Sequence, residues 1–314
     1  MSKVFLVTGG AGFIGSHIVD ALVRRGDKVR VVDNLCTGNL DNLAEVKDDI
    51  EFIKGDVADA VVTKKAVAGV DIVFHQAALA SVPLSVEKPL EVNAACVTGT
   101  LNVLQQAQLA GVKRVVYAAS SSCYGDQPNS AKRESDPLMP LSPYAAAKLG
   151  GELYCQAFFH THGLETVCLR YFNVFGPRQD PDSPYSAVIP LFITRILSGK
   201  PPIVYGDGGQ SRDFTFVANV VDGNLLAAER PGIGGKTFNL ADGRATDLLT
   251  LLETLARLLG VEIQPQHDPP RVGEVRDSMA DITQAVTHLG YTPNVDFEEG
   301  LRRSIEYYRT MVNA

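Results

Sequence analysis

The sequence predicts an α/β fold: a doubly wound parallel sheet followed by a smaller α/β lobe. Two observations predict it. Strand-like and helix-like patterns alternate through the first half, as they do in chains of βαβ units. The first unit also carries a glycine turn, Thr8-Gly9-Gly10-Ala11-Gly12-Phe13-Ile14-Gly15, between an apolar run and a helical one. With 314 residues and 45% hydrophobic content, the chain suits one large domain or two unequal ones.

Val4-Phe5-Leu6-Val7 reads as the first strand, and apolar residues recur at helical spacing over 13–22. A second strand over 29–32 ends at Asp33, and Ile50–Lys54 is a third, followed by Gly55-Asp56-Val57. Residues 71–75 form a fourth and lead into Gln76-Ala77-Ala78. One long helix is expected over 91–110, with apolar Val92, Ala95, Cys96, Leu101, Val103 and Leu104. A fifth strand over 115–119 ends in Ser120-Ser121-Ser122. A polar loop with Pro128, Pro137, Pro140 and Pro143 precedes a second long helix over 144–161, and 165–169 is a sixth strand. Helices are expected again over 187–197, 217–228, 247–259 and 297–310. Short strands are expected at 203–205, 214–216 and 237–240. The chain is expected to cross back to the main sheet near 213–240. Residues 1–172 with that return segment then make one domain, and 173–314 make most of the other.

The glycine turn suits a dinucleotide pyrophosphate. Gly9 permits the tight turn, Gly12 lets backbone approach phosphate, and Gly15 lets the helix pack on the strand. The helix N-terminus, from Phe13 and Ile14, adds free N–H groups and a partial positive charge. Asp33 lies where an acid accepts hydrogen bonds from the adenosine ribose and repels a 2′-phosphate. Asn34 follows it, with no Arg, so the site favours NAD over NADP. The first domain is therefore expected to be Rossmann-type.

Tyr144 and Lys148 are four apart on a predicted helix and share a face. That face must meet the strand end carrying Ser120, Ser121 and Ser122. A phenol is a weak base near neutrality, its ordinary pKa being ~10. A lysine cation one turn away and the positive nicotinamide ring both favour the phenolate. A serine hydroxyl can share the proton. The trio suits removal of a hydroxyl proton while hydride leaves the same carbon.

Together these motifs resemble the extended short-chain dehydrogenase/reductase family, over essentially the whole chain. Within it the sequence is similar to the UDP-hexose 4-epimerases. Asp33-Asn34-Leu35, Gln76-Ala77-Ala78, Tyr124-Gly125-Asp126, Arg170-Tyr171-Phe172-Asn173-Val174, Arg212-Asp213-Phe214 and the stretch 271–281 carry that similarity. The resemblance implies Tyr144 as catalytic base, Lys148 as its electrostatic partner and ribose anchor, and Ser120 as the catalytic hydroxyl. It implies NAD contacts from Asp56, Val57, Gln76, Ala77, Ala78, Asn93 and Tyr171. It implies sugar-nucleotide contacts from Ser81, Val82, Ser121, Ser122, Asn173, Val188, Ile189, Tyr205, Arg212, Arg271, Glu274 and Ser278. Residues 173–314 then form mainly the sugar-nucleotide lobe. The 4,6-dehydratases of this family carry an Asp-Glu pair where Ser121 and Ser122 stand here, so elimination lacks its acid and base.

Ser278 matches the position where a bulky Tyr restricts related pockets to UDP-glucose and UDP-galactose. Serine leaves room for a 2-acetamido group, and Ala80-Ser81-Val82-Pro83 resembles the loop of epimerases that accept N-acetylated sugars. Two alternatives stay open: a UDP-glucuronate 4-epimerase, with Arg271 and Arg276 near the substrate, and an oxidoreductase that releases NADH. The resemblance also implies a homodimer seamed by the two long helices, with Leu101, Leu104, Leu153 and Phe158 as seam candidates.

A net charge of −7 gives no basis for broad binding to nucleic acid or an acidic membrane. No signal peptide or membrane span is visible. Cys36, Cys96, Cys123, Cys155 and Cys168 are scattered without C-x-x-C pairs. That spacing suits neither a disulfide framework nor a zinc site and fits a reducing cytoplasm. All five are expected as small buried residues.

Overall fold

Val4–Thr8 (β1) sends Phe5 and Val7 into one apolar core and Leu6 into another. A strand buried on both faces has to lie inside a sheet covered on both sides. The computed structural model, which describes residues 3–127, 131–181, 187–269 and 275–312, shows that sheet. After β1 come α1 (Phe13–Arg24), β2 (Lys28–Asp33), β3 (Ile50–Lys54), α2 (Ala60–Val67) and β4 (Ile72–His75). Next are α3 (Val82–Glu87), α4 (Pro89–Asn93), α5 (Gly99–Leu109) and β5 (Arg114–Ser120). Then follow β6 (Ala131–Lys132), α6 (Pro143–His162), β7 (Glu165–Tyr171) and β8 (Val174–Phe175). The second half adds α7 (Val188–Leu197), β9 (Ile203–Tyr205), β10 (Ser211–Arg212), β11 (Thr215–Phe216), α8 (Val217–Glu229) and β12 (Thr237–Leu240). It closes with β13 (Thr246–Asp247), α9 (Leu248–Leu259), β14 (Gln266–Asp268), β15 (Asp277–Ala280) and α10 (Phe297–Val312).

The main sheet has seven strands in the order β12-β7-β5-β4-β1-β2-β3, and every pairing in it is parallel. Strand order reverses between β1 and β4. Thr8 and His75 end those strands side by side, and ligands of such sheets bind in the crevice beyond that point. Helices α1 and α8 cover one face, while α2, α5 and α6 cover the other. The seventh strand, β12, comes from the second half and pairs with β7, Leu240 opposite Tyr171.

The second lobe has its own core of Phe175, Ile189, Phe192, Val204, Phe214, Leu251, Leu255, Leu301 and Tyr308. A small sheet in the order β13-β10-β15-β6 sits beside it. Its edge strand β6 comes from the first half, so a short strap of that half belongs to the second lobe's sheet. No helix among the described residues is long and apolar enough to cross a membrane.

The short elements α3, β6, β8, β10, β13, β14 and β15 were not expected, and two longer stretches differ from the sequence reading as well. Helix α2 was not expected: it is short, and its start signal is the Asp59 carboxylate accepting from Val61 N–H at 2.8 Å. The single helix expected over 91–110 is α4, then a π-helical turn at Ala94–Thr98, then α5. Apolar periodicity does not register one inserted residue, and such turns concentrate at functional sites.

Candidate active site

The ends of β1, β2, β3, β4, β5 and β7, the start of α1 and residues of α6 and α8 build the site. At β1 the chain turns through Gly9, whose φ of +67° is left-handed. A Cβ on Gly15 would lie 2.1 Å from the Gly9 carbonyl oxygen, so only glycine lets α1 start this close to the strand. Gly12 caps α1 with no side-chain hydrogen bond, which leaves the first helical N–H groups for an anion. Asp33 is buried at the end of β2. Its carboxylate accepts from Ala11 N–H at 3.0 Å and Leu35 N–H at 2.8 Å, so the acid and the glycine turn hold each other. Leu35 adopts a left-handed φ of 62° to make that bond. Asn34 donates to Asp56 at 2.8 Å, joining the ends of β2 and β3, and Val57 is buried behind them. These groups fit the pyrophosphate and adenosine half of a dinucleotide.

Gln76 and Tyr171 meet above the sheet. The Tyr171 hydroxyl lies 3.1 Å from Gln76 Oε1 and 2.9 Å from Asn224 Oδ1. Asn224, buried on α8, was missed in the sequence, where it reads as one polar residue inside an amphipathic helix. His75 was also missed. Thr100 Oγ1 donates to the Cys96 carbonyl at 2.6 Å, so it accepts from His75 Nε2, 2.9 Å away. His75 Nδ1 then accepts from Thr8 Oγ1 at 2.7 Å, and Thr8 Oγ1 accepts from Ala77 N–H at 3.2 Å. Donor and acceptor roles therefore fix the tautomer. Burial pushes His75 down to about 3, so the ring is neutral and ties the end of β1 to the start of α5.

Tyr144 and Lys148 occupy the first two turns of α6, where Pro143 and the Ser142 side chain start the helix. The Ser120 side chain lies beside the Tyr144 phenol and favours its ionised form, and Ser120 Oγ lies 2.9 Å from Ser122 Oγ and accepts from Ser122 N–H at 3.2 Å. Lys148 is 3% exposed, with its ammonium 4.6 Å from the centre of the Tyr117 ring. The net shift of the phenol is opposite to the expected one. Burial raises Tyr144 above the ordinary range, with Cys96 and Cys123 adding to it and Ser120 opposing it, so any help from the lysine cation is outweighed in the protein alone. Burial likewise lowers Lys148.

From the helix over 89–109, Val92 and Cys96 are the buried side chains of the cluster that packs with Tyr144 and Ala147, and Cys96 lies on the π-helical turn. Asn93 is exposed one turn earlier. Cys36 is exposed as well, against the expectation of five buried thiols. It follows the Asp33 turn out of the sheet.

In the second lobe, Asn173, Val188, Ile189, Tyr205 and Arg212 line one cavity of about 200 Å³ with Phe192, Phe214 and Leu248. Arg212 Nη1 donates to the carbonyls of Ser211 at 2.7 Å and Arg276 at 2.9 Å. Next to it the buried Asp213 carboxylate accepts from the N–H groups of Asp242, Gly243 and Ala280. Burial still pushes it up to about 7. Ser278 sits opposite Arg212 in the parallel β10/β15 pair, so the two share a face. Arg276 turns to Asp207, 3.2 Å away on the exposed surface. Ser81 caps α3 by accepting from Leu84 N–H at 3.1 Å, and Val82 follows it, exposed. Arg271 and Glu274 lie outside the described residues.

Comparisons with known proteins agree with this geometry. The UDP-glucose 4-epimerase of Mycolicibacterium smegmatis is 39% identical over 97% of this chain and 98% of its own. The solved UDP-N-acetylglucosamine 4-epimerase of Methanobrevibacter ruminantium, in complex with UDP-N-acetylmuramic acid, is 42% identical. It covers 99% of both chains with a TM-score of 0.95. The UDP-glucose 4-epimerase of Thermotoga maritima, solved with UDP-glucose, is 37% identical over 99% of this chain and 100% of that one, with a TM-score of 0.94. Residues 5–241 match a family profile spanning the glycine turn, the serine strand end and the Tyr-Lys helix, so the chain belongs to the NAD dependent epimerase/dehydratase family.

Proposed function

We infer that the protein is an NAD-dependent UDP-hexose 4-epimerase. The observation that carries this is the end of β5 bringing Ser120 beside Tyr144 on the helix that also carries Lys148, with serines and no acid at 121 and 122. Tyr144 takes the proton of the C4 hydroxyl and Ser120 holds the oxygen. NAD, when bound, accepts hydride from C4 and returns it. The sugar must turn between the two transfers, so that hydride and proton come back on the other face. Net redox change is zero. Asn173 and Arg212 hold the diphosphate while the hexose turns, since a guanidinium donates two parallel bonds to phosphate.

We place the 2-substituent of the sugar beside Ser278, which makes UDP-N-acetylglucosamine an accepted substrate along with UDP-glucose. Arg276 already has the exposed Asp207 carboxylate as its partner, and UDP-glucuronate is therefore kept as the second reading. The purified protein should be incubated separately with UDP-glucose, UDP-N-acetylglucosamine and UDP-glucuronate, without added NAD. The 4-epimers should form from the first two, with no NADH left at completion. Accumulating NADH and an oxidised sugar would make it a net oxidoreductase. In the same assay Ser278→Tyr should lower turnover of the N-acetylated substrate far more than that of UDP-glucose, because the loss is steric. Equal losses would remove Ser278 from the 2-position.

The protein is expected to be a homodimer acting in a reducing cytoplasm. Leu90, Leu153 and Tyr154 are exposed on the α4 and α6 face, which is what an intersubunit seam requires. Leu104 is buried in the protomer's own core and is no seam residue, whereas Leu101 and Phe158 are half-buried and stay candidates. Light scattering at micromolar concentration should give twice 33.8 kDa, and a single monomer species would reject the dimer.

A further inference from the structure

Ser120 is the last residue of β5, and Tyr144 is the second residue of α6. Each sits where its element ends, yet the proton path requires them in contact. A second set of residues joins the same two elements behind that contact. Glu152 follows Tyr144 and Lys148 at further four-residue spacing, so all three lie along one face of α6. Its carboxylate takes a two-point hydrogen bond from Arg170 on β7, Nε to Oε2 at 3.0 Å and Nη2 to Oε1 at 2.6 Å. Arg170 Nη1 donates to the Tyr124 hydroxyl at 2.7 Å. Tyr124 closes the short 3-10 turn Ser121–Tyr124 that begins directly after Ser120.

The bonds have only one consistent direction. A guanidinium cannot accept, so the Tyr124 oxygen accepts from Arg170 and its proton goes to Asn239 Oδ1, 2.6 Å away. The Asn239 amide nitrogen must then face the carbonyls of Lys132 at 2.8 Å and Asp281 at 3.1 Å, and it does. Lys132 lies on β6, and Asp281 directly follows the strand carrying Ser278. Glu152, Arg170, Tyr124 and Asn239 are all 3% exposed or less. A buried ion pair is weak evidence of stability, because apolar side chains of similar size often serve as well. A fully satisfied buried network instead admits one arrangement of the elements it joins.

We propose that Glu152, Arg170, Tyr124 and Asn239 are positioning residues that hold the Ser120 loop, the Tyr144–Lys148 helix and the Ser278 strand in one register. The proposal rests on the reading of Ser120 and Tyr144 as the proton-transfer pair. None of the four touches the reacting atoms.

The test is Tyr124→Phe in the full-length protein, which removes one hydroxyl and keeps both the ring and the ion pair. Turnover should fall about tenfold, the size of one lost charge-assisted hydrogen bond, with KM and copurified NAD nearly unchanged. Phenolate absorbance, taken as a difference against the matching Tyr144→Phe protein, should show Tyr144 titrating at higher pH, because Ser120, which favours the phenolate, is no longer held beside it. Glu152→Gln keeps the shape and removes the charge, and should move both readouts the same way. It decides the matter if Tyr124→Phe does not fold. A lower melting temperature with unchanged turnover and an unchanged Tyr144 titration would overturn the proposal. Absence of turnover on any UDP-hexose by the wild-type protein would instead sink the functional reading, and the titration, which needs no substrate, would still decide the register.

Discussion

Tyr144→Phe should leave a folded protein that retains NAD and turns over ~10²–10⁴-fold more slowly, the range that general acid–base catalysis contributes. The ring keeps its place against Val92, Cys96 and Ala147. The lost hydroxyl lies beside Ser120, whose oxygen still accepts from Ser122 N–H and lies 2.9 Å from Ser122 Oγ. No buried partner is left stranded, so melting temperature should hardly change. What goes is the one hydroxyl placed to exchange the C4 proton. Turnover kept at more than about a tenth of wild type would mean another group moves that proton.

Lys148→Met should also cost most of the activity, and it should move the pH profile. Burial already raises Tyr144, so the phenolate needs every nearby positive charge. Removing the cation makes it scarcer, and the rising limb of residual activity should shift to higher pH. Stability should respond in the opposite sense. Burial lowers Lys148, so between that lowered value and its ordinary 10.5 the unfolded chain holds more protons than the folded one. Wild type then gains stability as pH rises through that window, and the methionine variant lacks this gain because it has no buried cation to deprotonate. Methionine fills much the same apolar space beside Tyr117, so the variant should melt no lower than wild type at neutral pH. An unshifted pH profile with weaker NAD retention alone would leave Lys148 a binding residue.

The parts of this site that were legible in the sequence are local. The glycine turn, Asp33 at a strand end and the Tyr144–Lys148 spacing each lie within one element or one connection. Strand over 237–240 was legible as a strand because its apolar pattern is local too. What was hidden depends on residues far apart. Asn224 approaches Tyr171 and Gln76 from α8, and His75 bridges Thr8 and Thr100 across two strands and a helix. Cys96 reads as a core residue, and only the π-helical turn aims it at Tyr144 and Lys148.

The sequence by itself determined the parallel sheet, the dinucleotide turn and the spacing that puts Tyr144 and Lys148 on one helix face, because strand burial, glycine conformation and helical spacing are short-range properties. Tertiary structure alone decided how those residues meet. Strand order places Thr8 and His75 together at the reversal point, and β12 returns from the second half to bring Asn239 under Tyr124. Burial then set the protonation behaviour. Lys148, Tyr144, His75 and Asp213 are all displaced by loss of solvent, which depends on everything packed around a group and not on its neighbours in the chain.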